Sequence, residues 1–237
     1  MDWIYGYQPV LETLRRDRKS VNRVVISNRR RKGVEELREF GVRVEVVDAR
    51  KLDDRFEGAN HQGIAAECRP FEYRSLLEWL DTAPADAICV VRDEVQDAGN
   101  LGAIIRSAVA TGAHAIVIPS RKAAGVTPAA VRASAGLAAL IPVVRVNNVA
   151  RSIESLQEKG FWVTGAATRD GVPPWKVDLK GRVAVVVGSE GKGMRRLVAE
   201  KCDHLVTVPL LPTAESLNVS AAAAMLLYEI VRQRSQG

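Results

Sequence analysis

The stretch "RVAVVVGSEGKGMRRLVAEKC", Arg182 to Cys202, decides the fold. Its first half is a β-branched run without polar alternation, the pattern of a strand buried on both faces of a parallel sheet. Its second half, "MRRLVAEKC", reads as a helix, and Gly188, Gly191 and Gly193 stand between the two. Glycines at such a place permit positive φ and close backbone approach. Their spacing is GxxGxG, neither the GxGxxG of a dinucleotide site nor the GxxxxGK[ST] of a phosphate loop. Taken alone this is a tight turn, except that Glu190 puts a carboxylate at the end of the most hydrophobic strand.

Working outward, the same strand-then-helix alternation runs from Ala87 to the C-terminus. The strands are "AICVVRD", "HAIVIP", "PVVRV", "FWVTGA", "RVAVVVG" and "HLVTVPL". Between and after them lie "LGAIIRSAVATG", "TPAAVRASAGLAA", "VARSIESLQEKG", "MRRLVAEKC" and a C-terminal helix. An α/β fold with helices on both faces of a parallel sheet is expected. Residues 1–69 alternate on a smaller scale and predict a small α/β domain. "PFEYRSLLEWLDTAPAD", 70–86, holds one short helical pattern and a Thr-Ala-Pro-Ala-Asp break, and reads as the linker. Residues 87–237 form the second domain.

Composition narrows the classes of function. The 237 residues carry 47% hydrophobic and 26% charged side chains, as a globular protein does. No apolar run approaches the roughly 18 residues of a membrane span, and the N-terminus lacks the basic-then-apolar pattern of a secretory leader. Cys68, Cys89 and Cys202 have no CxxC spacing, so reduced thiols in a cytoplasmic protein are expected. His61, His114 and His204 show no ligand spacing, and no metal is expected. Net charge is +6. Nine of the Lys/Arg fall between Arg15 and Lys32 against the single acid Asp17. Arg29, Arg30, Arg31 and Lys32 crowd one loop end, where mutual repulsion is unfavourable unless phosphates neutralise it. These four are the candidate residues for contact with RNA or DNA.

Ligands of such sheets gather beyond the carboxyl ends of the strands, and three of those ends are polar or glycine-rich. Besides 187–194 they are "RDEVQDAGNLGAIIRSA" (92–108) and "VPLLPTAESLNVS" (208–220). In the first, Asn100 is placed to cap the helix, and Arg106 interrupts an apolar helix, where an arginine commonly meets an anion. In the second, Ser216 or Asn218 can cap the last helix, leaving the other free to meet a ligand. A dinucleotide-dependent oxidoreductase is excluded by the missing GxGxxG.

The three strand ends together resemble, in order and in wording, the three motifs of the SpoU (TrmH) family of RNA ribose 2′-O-methyltransferases. "NLGAIIRSA" matches the first, "VVVGSEGKGM" the second and "VPLLPTAESLNVSAAAAMLLYEI" the third. "IYGYQPVLETL" and "NHQGIAAE" resemble the substrate-binding domain that precedes the catalytic domain in bacterial 23S rRNA guanosine 2′-O-methyltransferases, so the resemblance covers almost the whole chain.

The resemblance implies S-adenosylmethionine as cofactor, a SPOUT-type catalytic domain threaded as a trefoil knot, and a homodimer with the active site at the interface. Carried over residue by residue, it implies catalytic roles for Asn100, Arg106, Glu190, Ser216 and Asn218, and cofactor contacts from Gly188, Val208 and Leu217. The substrate implied is RNA, a guanosine of 23S rRNA; tRNA or another rRNA site is the alternative. A reading of another class is a non-catalytic RNA-binding assembly factor. Mechanistically, Arg106 is expected to grip the target phosphate and lower the pKa of the ribose hydroxyl, while Asn100, Glu190 and Asn218 orient it.

Overall fold

A computed structural model of the chain describes residues 2–236 apart from 31, 32, 59, 95 and 122. The chain builds two sheets. The first contains β1 (Asp2–Tyr5), β2 (Val21–Ser27), β3 (Arg43–Val47) and β4 (Ile64–Cys68), in the order β1-β4-β2-β3. Helices α1 (Tyr7–Arg16), α2 (Val34–Glu39) and α3 (Ala49–Arg55) connect them. Only β2 and β3 are parallel; β4 returns antiparallel between β1 and β2. Val10, Leu14, Val24, Ile26, Leu37 and Ile64 form the core of one face. On the other, Trp3, Tyr5 and Phe56 pack over Val25, Leu52 and Ala65.

The second sheet is all parallel, in the order β10-β8-β9-β5-β6-β7. Its strands are β5 (Ile88–Arg92), β6 (Ala115–Pro119), β7 (Val143–Val146), β8 (Trp162–Ala166), β9 (Val183–Val187) and β10 (His204–Val206). The expected strand over "HLVTVPL" ends at Val206, and its remainder joins the loop before the last helix. The helices are α4 (Leu76–Thr82), α5 (Ala98–Ala110), α6 (Pro128–Ala133), α7 (Val149–Glu158), α8 (Arg196–Lys201) and α9 (Val219–Ser235). Every residue of β5, β6 and β9 is buried, as continuous apolar runs require. Alternate side chains enter opposite cores: Ile88 and Val90 pack with residues of α5, α6 and α9, while Cys89 and Val91 pack with residues of α4, α7 and α8.

The stretch expected as a linker is partly structural. Arg74 N–H donates to Val143 O at 2.9 Å and Arg74 O accepts from Arg145 N–H at 3.2 Å, extending the sheet beyond β7. Ser75 and Glu78 close a capping box on α4, which buries Trp79 and Leu80 in the second sheet's core.

Two features of this sheet create a crevice and hold its walls. α5 leaves β5 toward β6 on one side, while β9 lies on the other side of β5, so the carboxyl ends of β5 and β9 flank a switch point of the sheet. α5 also lies in backbone contact with α6, because a Cβ at Gly102 would stand 2.4 Å from Ala133 Cβ and 2.5 Å from Ala130 O.

Candidate active site

The loop after β9 is held chiefly by its own backbone. Ser189 and Gly193 exchange two backbone hydrogen bonds of 3.0 and 2.9 Å, and Lys192 N–H donates to Glu190 O at 2.9 Å. Gly191 and Gly193 have φ of 76° and 67°. A Cβ on Gly188 would lie 2.0 Å from the carbonyl carbon of Gly193, so no other residue fits there without moving the loop. At the tip stands Glu190, exposed, with its carboxylate turned toward the starts of α5 and α9.

The sequence places Asn100 at the cap of α5, and the structure corrects this. The helix starts two residues earlier, at Ala98, and its cap is Asp97, whose Oδ1 accepts from Asn100 N–H at 2.7 Å. The carboxylate is the stronger competitor for the open N–H groups of a helix start. Asn100 therefore keeps its side chain for another purpose: Nδ2 donates to Glu190 Oε1 at 3.0 Å.

Asn218 does both things expected of its stretch at once. Its Oδ1 caps α9, accepting from Ser220 N–H at 2.9 Å and from Ser220 Oγ at 2.6 Å. That pins the amide orientation, since the other end must be the donor. Nδ2 then donates to Asn100 Oδ1 at 3.0 Å and to Glu190 Oε1. Three residues separated by up to 118 positions thus close one ring of hydrogen bonds.

Beside the ring lies a cavity of about 80 Å³, lined by Gly188, Glu190, Val208, Ser216 and Leu217 and, from the end of β8, by Ala166 to Thr168. The wall from β8 is not among the three strand ends singled out in the sequence; "GAATRD" is a fourth polar one whose composition is its only signal. The backbone cradle at Gly188, the apolar Val208 and Leu217 and the polar mouth match in chemistry a ligand that is part apolar ring, part charged group, of which a space of about 80 Å³ holds only a part. Among the described residues no group of three or more His, Cys, Asp or Glu is placed to hold a metal.

Arg106 does not join the ring. Leu101, Gly102, Ile104, Ile105 and Ala108 form the buried stripe of α5, and Arg106 lies off it, exposed. Among the described residues no hydrogen bond or ion pair engages its guanidinium. Nearby, Arg92 at the end of β5 is fully buried; burial pulls its guanidinium down to about 10, with the Asp97 carboxylate opposing.

In the first sheet's domain, Arg29 is exposed. Arg30 instead folds back, its guanidinium 4.6 Å from the centre of the Tyr7 ring and donating to Gln62 O at 3.0 Å. Arg31 and Lys32 lie outside the described residues.

Comparison with known proteins decides the family. Residues 87–228 match the model of the SpoU rRNA Methylase family, and residues 3–74 match that of RNA 2′-O ribose methyltransferase substrate binding. The chain belongs to the SpoU rRNA methylase family. It is 39% identical to an uncharacterized tRNA/rRNA methyltransferase of Synechocystis, over 99% of this chain; the chain spans 63% of that protein's length. It is equally 39% identical to the 23S rRNA (guanosine-2′-O-)-methyltransferase RlmB of Xylella fastidiosa, over 98% of this chain and 97% of RlmB. Among solved structures, the SpoU methyltransferase AviRb from Streptomyces viridochromogenes, in complex with AdoMet, superposes with a TM-score of 0.85 at 26% identity, covering 99% of this chain and 91% of AviRb. The SpoU membership, the α/β fold and the N-terminal substrate-binding domain expected from the sequence thus hold.

Proposed function

We propose that this protein transfers a methyl group from S-adenosylmethionine to the 2′-hydroxyl of a guanosine ribose in 23S rRNA, and that it works as a cytoplasmic homodimer. The observation that carries the reading is the ring of Asn100, Glu190 and Asn218 at the mouth of the cavity lined by Gly188, Val208 and Leu217. RlmB of Xylella fastidiosa and the AdoMet complex of AviRb supply the substrate and the cofactor by relationship.

S-adenosylmethionine, when bound, supplies an electrophilic methyl on a sulfonium. The chain's own residues do the rest. Gly188, Val208 and Leu217 would hold the cofactor against backbone and apolar walls. Ser216, Asn100, Asn218 and Glu190 would orient the ribose for attack; orientation of this kind is worth up to about 7–11 kcal/mol. Arg106 grips the adjoining phosphate and favours loss of the hydroxyl proton electrostatically. A guanidinium, charged at any ordinary pH, serves that purpose better than it serves as a base.

The dimer belongs to the same reading. The hydrogen-bonded ring is open to solvent and Arg106 stands apart from it. α9, whose first turn carries the ring, exposes Met225, Tyr228 and Val231 along one stripe, Tyr228 to 65%. A second copy seated on that stripe would cover the ring and bring further side chains to it. The trefoil knot of the SPOUT fold is part of the proposal too. Residues 1–69 would select the RNA, with Arg29, Arg30, Arg31 and Lys32 contributing cations, and residues 87–237 would perform the transfer.

The test is methyl transfer from labelled S-adenosylmethionine to 23S rRNA transcripts, followed by mapping of 2′-O-methyl groups in cells with and without the gene. One guanosine losing its methyl in the deletion supports the reading. Transfer to tRNA alone moves the substrate, and a protein that binds RNA but transfers nothing overturns the enzyme.

A further inference from the structure

The ring of Asn100, Glu190 and Asn218 depends on two loops keeping their distance. One leaves β5 and carries Asn100; the other leaves β9 and carries Glu190. Up to the ends of the strands that distance is set by the sheet: Arg92 pairs with Val187, and Asp93 N–H donates to Val187 O at 2.8 Å. Beyond that point the two chains part, and Glu190 stands at the tip of the second.

They are joined again after the tip. Asp93, fully buried, takes three hydrogen bonds from Arg195: its Oδ2 accepts from Arg195 N–H at 2.8 Å, and its Oδ1 from Nε at 2.8 Å and from a terminal guanidinium nitrogen at 2.5 Å. A second carboxylate, Glu94, lies 3.7 Å from the other terminal nitrogen. Glu94 itself holds a left-handed φ of 56°, rare for a side chain of its kind, where the β5 loop turns toward Asp97. The Asp93 hydrogen bonds hold the Arg195 guanidinium above its ordinary range. Arg195 lies 102 positions from Asp93 and five after Glu190. Neither residue lines the cavity or touches the ring.

We infer that Asp93 and Arg195 are positioning residues for methyl transfer, a clamp on a buried carboxylate that fixes the Glu190 tip against Asn100. The inference rests on the proposed methyl-transfer function and deepens it. Asp93 supplies a fixed acceptor, because its N–H is bonded to Val187 O at the end of the sheet and its carboxylate is fully buried. Arg195 meets one carboxylate oxygen with its backbone N–H and the other with two guanidinium nitrogens, which fixes the loop in angle as well as distance. A lysine would keep the backbone bond and offer a single nitrogen to the other oxygen. Because the side chain of Arg195 is half-exposed, removing it opens no core cavity, but it strips the guanidinium from the buried Asp93 carboxylate, so the melting temperature should fall along with the hold on the loop.

The experiment uses the full-length protein with S-adenosylmethionine and a 23S rRNA transcript. The control is Arg182→Ala, which removes a structural guanidinium bound to Ala83 O, Pro84 O and Lys159 O, away from the site. Arg195→Ala is expected to lower kcat by about 100-fold, the scale of an ångström-sized misplacement, with cofactor and RNA affinities within about threefold of wild type. Arg195→Lys should fall between the two. In a Glu190→Gln background the further loss from Arg195→Ala should shrink, because the clamp acts through Glu190. A kcat for Arg195→Ala no lower than that of Arg182→Ala, or a loss undiminished in the Glu190→Gln background, overturns the clamp. Wild-type protein that methylates no RNA overturns the proposed function instead. The clamp is then read from amide hydrogen exchange: residues 189–193 should exchange faster in Arg195→Ala than in Arg182→Ala, and equal rates overturn it.

Discussion

Two loops of this molecule follow buried strands and carry charge, and they are built on opposite principles. After β9, residues 188–194 are held by a backbone bridge, by Gly188, which leaves no room for a side chain, and by the left-handed Gly191 and Gly193, and they present one carboxylate. After β2, the loop containing Arg29 and Arg30 closes a backbone turn, Arg30 N–H donating to Ser27 O at 2.9 Å, and is anchored to the domain by a side chain: Arg30 lies over Tyr7 and bonds to Gln62 O. Its neighbour Arg29 is left in solvent. On the proposed function, in-line displacement needs an orienting group placed to a fraction of an ångström, which a loop fixed by its own backbone geometry would supply. Attraction of a polyanion needs charge nearby and tolerates movement, since a phosphate contact acts largely through counterion release. The difference separates position from charge, and single substitutions can attack one or the other.

The hardest blow to position is Gly188→Ala. The added carbon cannot coexist with the Gly193 backbone 2.0 Å away, so the loop must unfold or shift. Loss of measurable cofactor binding and of methyl transfer is expected. The melting temperature should fall as well, by the equivalent of about 1–3 kcal/mol for an overpacked site. Wild-type binding by calorimetry would mean that the loop's geometry is not what the site uses.

Arg106→Ala should come next. If Arg106 acts on the charge that develops as the hydroxyl ionises, its removal costs about 100- to 1000-fold in kcat and leaves cofactor affinity unchanged. Near-normal turnover would free Arg106 from that role. The residue is also where reading from sequence runs out. Its place in an apolar helix argues for an anion nearby, yet helix periodicity puts it on the exposed side of α5, off the stripe formed by Leu101, Ile104, Ile105 and Ala108. Among the described residues no hydrogen bond or ion pair engages it.

Elsewhere legibility follows the range of the forces. The six strands of the second sheet are readable because continuous β-branched runs have few other homes. Glu190 and Asn218 stand out because polar residues at strand ends are conspicuous. The four-residue β1, "DWIY", does not, since its pairing partner β4 lies some sixty residues away. Asn100 passes for a cap because several short polar residues near a helix start compete for that place, and only geometry ranks Asp97 first. Arg30 looks like one more solvated cation because nothing local announces the Tyr7 ring beneath it. The Asp93–Arg195 pair spans 102 positions and has no local pattern at all.

Asn218→Ala tests a residue that serves both principles of construction. As the cap of α9 it should cost about 1 kcal/mol of stability. As the donor to Asn100 and Glu190 it should also cost turnover, because the Glu190 carboxylate would then keep only its bond from Asn100. Asn218→Ser separates the two: a serine restores the cap but cannot bridge to the ring. Stability is expected to recover in that variant while kcat stays low. Recovery of both would reduce Asn218 to a capping residue.

The smallest effect is expected from the charged loop, and its form matters more than its size. Arg29→Ala should weaken RNA binding about equally for every sequence offered and lower the slope of log affinity against log salt by about one. Cofactor affinity and melting temperature should not move, because Arg29 is exposed and Arg30, not Arg29, docks the loop. Arg30→Ala should differ, lowering the melting temperature as well as RNA affinity, since it removes the contact with Tyr7 and the bond to Gln62 O. If instead Arg29→Ala changed which RNA is methylated while leaving the salt slope intact, Arg29 would be reading a base edge or a shape. The contrast between the two loops would then fail on the side of charge, because both would be working by position.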